Sequence, residues 1–164
     1  MTAPRIYHET ILVGPESIDV QGHVNNREYL RWMELAATNH AALLHWGIDD
    51  LKRTGRAWVA REHWIEYLRP CFAGETLDIY TWIQSVRGPT SLRRHAIARE
   101  GLVTAVGATE WVYIDAARGR PVSIDAASIE GLSLVKPSDE ELKQLGISRP
   151  VRFSPGASLI SGDE

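Results

Sequence analysis

The chain has 164 residues, 44% of them hydrophobic and 24% charged, proportions of an ordinary globular domain with room for one hydrophobic core. A formal net charge of −3, with basic residues scattered among acidic ones, offers no footprint for a nucleic acid backbone. The single cysteine, Cys71, excludes an internal disulfide and any zinc site built on several cysteines, and reads as a packed thiol. No run approaches the roughly 20 apolar residues of a membrane span. Met1 to Val13 also lacks the apolar stretch of a secretory signal, so a cytoplasmic protein without membrane or nucleic acid partners is expected.

Ile6, Ile11, Leu12 and Val13, ahead of Gly14-Pro15, predict a first strand over residues 6–13. Residues 15–27, PESIDVQGHVNNR, are polar and hold Gly22 and two asparagines, the chemistry of a loop leading into a helix. From Glu28 to Trp46 there is neither Gly nor Pro and good helix formers dominate, which predicts a helix ended by Gly47. Arg31, Glu34, Thr38 and His45 form its polar stripe, and apolar residues fill most of the remaining circumference, as in a buried helix. Asn39 and His40 interrupt the apolar side and need hydrogen-bonding partners there.

Asp49 to Arg56 reads as a connection. Four strand-like runs follow: Ala57 to Leu68, Glu75 to Val86, Ser91 to Arg99 and Val103 to Asp115. The breaks between them are short, which favours antiparallel neighbours. In the second run Leu77, Ile79 and Ile83 share one parity and Asp78, Tyr80 and Gln84 the other. Arg61, His63 and Trp64 break the alternation of the first run, whose facing stays open. Residues 137–146 read as a short helix with Ser138 as N-cap and Glu141 three places on, and residues 148–164 as a mobile tail. One strand, one long helix and four strands define an α+β domain over residues 1–125, its antiparallel sheet covering the helix, with an extension over 126–164.

The segment Asp19-Val-Gln-Gly-His-Val-Asn-Asn26, followed by Tyr29, Trp32, Glu34 and Ala36, resembles the approach to the central helix in hotdog-fold thioesterases of the 4-hydroxybenzoyl-CoA thioesterase-like group. Its Gly-His-Val-Asn-Asn form is most similar to bacterial long-chain acyl-CoA thioesterases. IEYLRPCFAGETLDI at 65–79 and GPTSLRRH at 88–95 are also similar to that group, and the resemblance spans residues 6–122. It implies a five-stranded antiparallel sheet wrapped around one long helix, assembly as a homodimer or a tetramer of dimers, and hydrolysis of an acyl-CoA without a cofactor or metal. Hydratases share the fold but resemble one another through a different His/Asp or His/Glu arrangement, whereas Asp19 three residues before Gly22 matches the thioesterase pattern.

Thioester hydrolysis needs a base or nucleophile beside the carbonyl and donors for the oxyanion that forms on attack. A carboxylate can take either role, and a leaving thiol with a pKa of about 8.5 departs as thiolate without strong acid assistance. The first N–H groups of a helix lack intrahelical partners and carry the positive end of its dipole. By resemblance, the catalytic set is Asp19, Gly22, His23 and Asn26, with the backbone N–H of Asn26 as oxyanion donor. Asn25 and Tyr29 then fall near the substrate, with Arg87, Ser91, Arg93 and Arg94 near the CoA phosphates.

Plain structural roles stand beside these. Asp19, Asn25 and Asn26 suit caps and turns, His23 suits a loop hydrogen bond, and Glu34 suits a solvated ion pair as well as an approach to the site across a dimer interface. The arginines suit a basic hairpin. His40, His45, His63 and His95 lack metal-ligand spacing with carboxylates. Two rival functions remain: hydrolysis of carrier-protein thioesters, and a non-catalytic module that binds an acyl chain.

Overall fold

A computed structural model describes residues 3–152. After β1 (Ile6–Leu12) and a short 3-10 turn, the chain enters α1 (Asn26–Leu43). This helix starts two residues before the sequence-based expectation because Asn25 caps it, its side-chain oxygen accepting from Arg27 N at 3.0 Å. It also ends three residues sooner. His45 takes the left-handed conformation at φ 63°, and the amides of His45 and Trp46 turn back to the carbonyls of Ala42 and Ala41, closing the helix before Gly47 is reached.

Tyr29, Trp32, Met33, Ala36, Ala37 and His40 are the buried residues of α1, spaced three and one apart along one face. Leu35 and Leu43 are about half exposed, so within one chain the helix is covered on one side only, a narrower burial than the apolar residues around most of its circumference imply.

The segment expected to be a plain connection contains α2 (Ile48–Thr54), with Asp49 and Asp50 in its first turn, Lys52 and Arg53 in its last and Gly55 closing it at φ 71°. The strands β2 (Arg56–Tyr67), β3 (Thr76–Arg87), β4 (Thr90–Arg99) and β5 (Leu102–Asp115) lie within a residue or two of their predicted positions. A two-residue β6 (Arg120–Pro121) pairs with the end of β5. The order is β1-β3-β4-β5-β2, antiparallel throughout, and leaves β1 and β2 as edges. One face of this sheet holds Leu77, Ile79, Ile97 and Ala105 against α1, the arrangement of the hotdog fold.

The other face is not left to solvent. Trp82, Ala96 and Val106 pack against Val135, Leu142 and Ile147 from the chain beyond residue 126. α3 (Ala126–Glu130) and α4 (Glu140–Gln144) belong to this cover, and Val135 N donates to Ile83 O at 2.9 Å. The N-cap of α4 is Asp139 in place of the expected Ser138. Its carboxylate accepts from Glu141 N and pairs with Arg5 at 3.1 Å, tying the extension to the start of β1. Of the tail expected at 148–164, residues 153–164 lie outside the described residues. No described helix is long and apolar enough to cross a membrane.

Helix and sheet meet closely at Gly107 of β5, where a Cβ would fall 2.9 Å from Met33 Sδ and 3.0 Å from Trp64 O. Gly107→Ala is therefore expected to destabilise the fold by about 1–3 kcal/mol, the usual cost of overpacking. Denaturant titration checks this, and an unchanged midpoint would show that Met33 yields without strain.

Candidate active site

The loop before α1 is held by its own backbone. Ile18 and Val24 form an isolated antiparallel bridge, and between them Asp19 N donates to His23 O and Gly22 N to Asp19 O, each at 3.0 Å. The turn needs φ 86° at Gly22, a left-handed value that favours glycine, while the space around that residue is open. Val24 N donates to Cys71 O and Asn25 N to Ser17 O, each at 2.8 Å, fixing the loop's far end.

Within this frame one carboxylate oxygen of Asp19, Oδ1, accepts from Gln21 N at 2.9 Å in an Asx turn. It also lies 4.0 Å from His23 Nδ1. Among the described residues Oδ2 carries no hydrogen bond, and the side chain keeps 22% of its surface exposed. Asn26 opens α1 as its first residue; its N–H has no protein partner among the described residues, while its carbonyl accepts from Tyr67 Oη at 3.0 Å. A partly exposed anion and an unpaired helix-start donor thus occupy one short loop. His23 sits edge-on to Phe72, with ring centroids 6.5 Å apart.

The structure brings together Asp19, Gly22, His23, Asn25 and Asn26, with the Asn25 oxygen engaged in its cap. Tyr29 departs from its expected place at the substrate: it is 3% exposed in the core, between Trp32 and Tyr67, and burial raises its phenol pKa. The arginines depart further. Arg93 and Arg94 are buried, on opposite faces of β4, and neither is an exposed hairpin cation.

Arg94 lies under the C-terminal segment, donating to Arg149 O at 2.9 Å and Gln84 Oε1 at 3.2 Å over the Trp82 ring. Arg93 donates to His40 Nδ1 at 3.0 Å and Thr81 Oγ1 at 3.1 Å. Ser91 is buried on the same face as Arg93, and Arg87 alone is exposed. Tyr67 pairs with Ala105 and Ala105 with Ile97, so Arg93 lies four residues, about 13 Å, along β4 from the level of the loop. Arg87 lies further in the same direction, and within one chain it does not meet Asp19.

One polar chain was not expected. Glu34 Oε1 lies 3.4 Å from His63 Nε2, His63 Nδ1 lies 2.9 Å from Thr109 Oγ1, and that hydroxyl lies 3.1 Å from His95 Nε2. His63 is one of the residues that break the alternation of its run, and this break was the available signal. Among the described residues no group of three or more His, Cys, Asp or Glu side chains is arranged to hold a metal ion.

An antiparallel sheet wrapped around one long helix defines a hotdog domain. The chain belongs to the Thioesterase-like superfamily, whose family model matches residues 13–133. Among solved structures it is similar to YbaW, a probable thioesterase from Escherichia coli, at 25% identity and a TM-score of 0.68, over 77% of this chain and 96% of that one. An acyl-ACP thioesterase from Bacteroides thetaiotaomicron superposes at a TM-score of 0.75 and 18% identity, over 91% of this chain and 56% of that one. A 1,4-dihydroxy-2-naphthoyl-CoA thioesterase from Synechocystis gives 0.70 at 14% identity, over 78% and 95%. No curated protein matches the chain.

Proposed function

We propose that the chain hydrolyses the thioester of an acyl-CoA to the free acid and CoA, with Asp19 as general base or nucleophile. The observation that carries this reading is the Asp19 carboxylate, anchored through Oδ1 and free at Oδ2, in the same short loop as the unpaired N–H of Asn26. As a base, Asp19 takes a proton from water as the water oxygen attacks the thioester carbonyl. The oxyanion forms against the amide of Asn26, and its collapse expels the CoA thiolate. As a nucleophile, Asp19 attacks the carbonyl directly, the C–S bond breaks to release the CoA thiolate, and water hydrolyses the resulting acyl-aspartyl anhydride.

The second reading, hydrolysis of a carrier-linked thioester, draws on the likeness to the Bacteroides acyl-ACP thioesterase. A panel of CoA thioesters, the matching carrier-protein thioesters and a binding assay separates the readings. Turnover of the CoA esters is expected; turnover of carrier-linked esters alone, or binding without turnover, would replace the first reading.

A homodimer would serve the same site. β2 is a twelve-residue edge strand, and Val59 and Tyr67 on it and Leu35 on α1 are each nearly half exposed. Antiparallel pairing of two copies along β2 would set the loop of Asp19 in one copy toward the far end of the sheet in the other, where Arg87 stands. Sedimentation is expected to give a dimer or a larger assembly of dimers. A fully active monomer would count against a shared site.

A further inference from the structure

A cavity of about 300 Å³, separate from the loop of Asp19, lies between the second half of α1 and the sheet. Ala37, its nearest wall residue toward the helix start, is eleven residues from Asn26, about 16 Å along the axis. Ala37, Ala41 and Leu44 of α1, Trp58 of β2, Ile83 of β3 and Leu132 make most of its wall apolar. Ser91 and Arg93, two apart on β4 and on one face, supply polar groups.

Arg93 is 5% exposed, and among the described residues no carboxylate pairs with it. Its hydrogen bonds all leave from Nη1, to His40 and Thr81, and the Ser91 hydroxyl has no partner among the described residues. Burial pushes the Arg93 guanidinium down to about 10, and no neighbouring acid opposes that shift. A charge removed from water is ordinarily compensated by an opposite charge, so this one, bordering an open cavity, is complementary to an anion.

We propose that this cavity binds a carboxylate carried on an apolar body, the carboxylate against Arg93 and Ser91 and the apolar part against α1 and Trp58. One guanidinium fork and one hydroxyl match the two oxygens and single charge of a carboxylate. A phosphate dianion would bring a second charge, and Arg93 is the single charged residue among those lining the cavity. The carboxylate has two possible sources: a free monocarboxylic acid, or the distal end of an acyl group whose other end is a thioester.

Trp46, Trp58 and Trp111 line the cavity, so ligand binding is read from the protein's own fluorescence, with octanoate and its neutral counterpart octanamide as probes. Octanoate is expected to change the emission saturably and to bind at least tenfold more tightly than octanamide. Arg93→Met removes that preference, and Ala41→Phe, which fills the cavity from the α1 side, weakens both probes. Equal affinity for the two probes, or wild-type octanoate binding in Arg93→Met, overturns the proposal. Should Arg93→Met not fold, Ala41→Phe with both probes decides it, and undiminished binding there overturns it as well.

The two sources separate in turnover of hexadecanoyl-CoA and its ω-carboxylated analogue, whose acyl chain is long enough to reach from the loop of Asp19 to Arg93. A preference for the analogue that Arg93→Met abolishes assigns the carboxylate to the substrate's acyl end. Equal turnover, with octanoate still bound, assigns it to a free acid. Failure of both esters to react with octanoate binding intact counts against the thioesterase reading and leaves the binding site standing.

Discussion

Asp19→Asn is expected to lose between about a hundredfold and ten-thousandfold in thioester turnover, the usual loss on removing a general base, while the protein stays folded. The amide keeps an oxygen for Gln21 N, which donates to Oδ1 at 2.9 Å, so the Asx turn survives. What disappears is the charge on the oxygen that has no protein partner. Asp19→Ala should be as inactive, and should lose about 1 kcal/mol of stability with that hydrogen bond. It should not lose a helix cap, because Asn25 supplies the cap of α1. Steady-state kinetics on several acyl-CoA esters, beside thermal melts of both variants, measures the two effects separately. A folded Asp19→Asn protein with near wild-type turnover would remove the carboxylate from the mechanism.

The second large effect is loss of stability in acid, centred on His40. This residue is 1% exposed, and its Nε2 lies 2.7 Å from Pro4 O while its Nδ1 faces Arg93 Nη1 at 3.0 Å. A carbonyl can only accept and a guanidinium can only donate, so the neutral ring carries its proton on Nε2. Burial, and then the charge of Arg93, push its pKa from 6.5 down to about 4. Tyr7, stacked at 5.6 Å, is the other ring on it. His95, fully buried in the same layer, is shifted downward for the same two leading reasons.

The sign follows from which state binds the proton. Between pH 6.5 and about 4 the unfolded chain protonates at position 40 and the folded one does not. Stability is therefore present above 6.5 and is lost as pH falls toward 4, by roughly 2–3 kcal/mol for this residue. His40→Gln can donate to Pro4 O and accept from Arg93 but cannot be protonated. It should flatten the fall of the melting temperature over that window, with the remaining slope assigned to His95 and the carboxylates. An unchanged profile would mean that His40 does not govern acid stability.

Local chemistry made much of the molecule legible in the sequence. A stretch free of Gly and Pro and rich in helix formers marked α1, and alternation broken by Gly and Pro marked four strands, because these preferences act within a few residues. The turn at Asp19 to Gly22 was legible for the same reason: few residues other than glycine tolerate φ 86° there. Even α2 left its signals, acids at its start, bases at its end and Gly55 beyond, although the segment reads as a connection when only apolar periodicity is weighed.

What depended on tertiary structure was the environment of each charge. Arg93 and Arg94 are adjacent and read as a basic hairpin, but neighbours on a strand point to opposite faces, and here both faces are covered. One cover is α1. The other is the C-terminal chain through Val135, Leu142 and Ile147, whose docking no local pattern announces because it depends on partners distant in the sequence. The sequence by itself determined α1, the five long strands, their order and the loop that carries Asp19. Tertiary packing decided that Tyr29 is core, that Arg94 is sealed beneath the extension, and that Arg93 faces a cavity without a counter-charge. Local preferences arise from the backbone within a few residues, whereas the cost of a buried charge is set by which distant atoms replace its water.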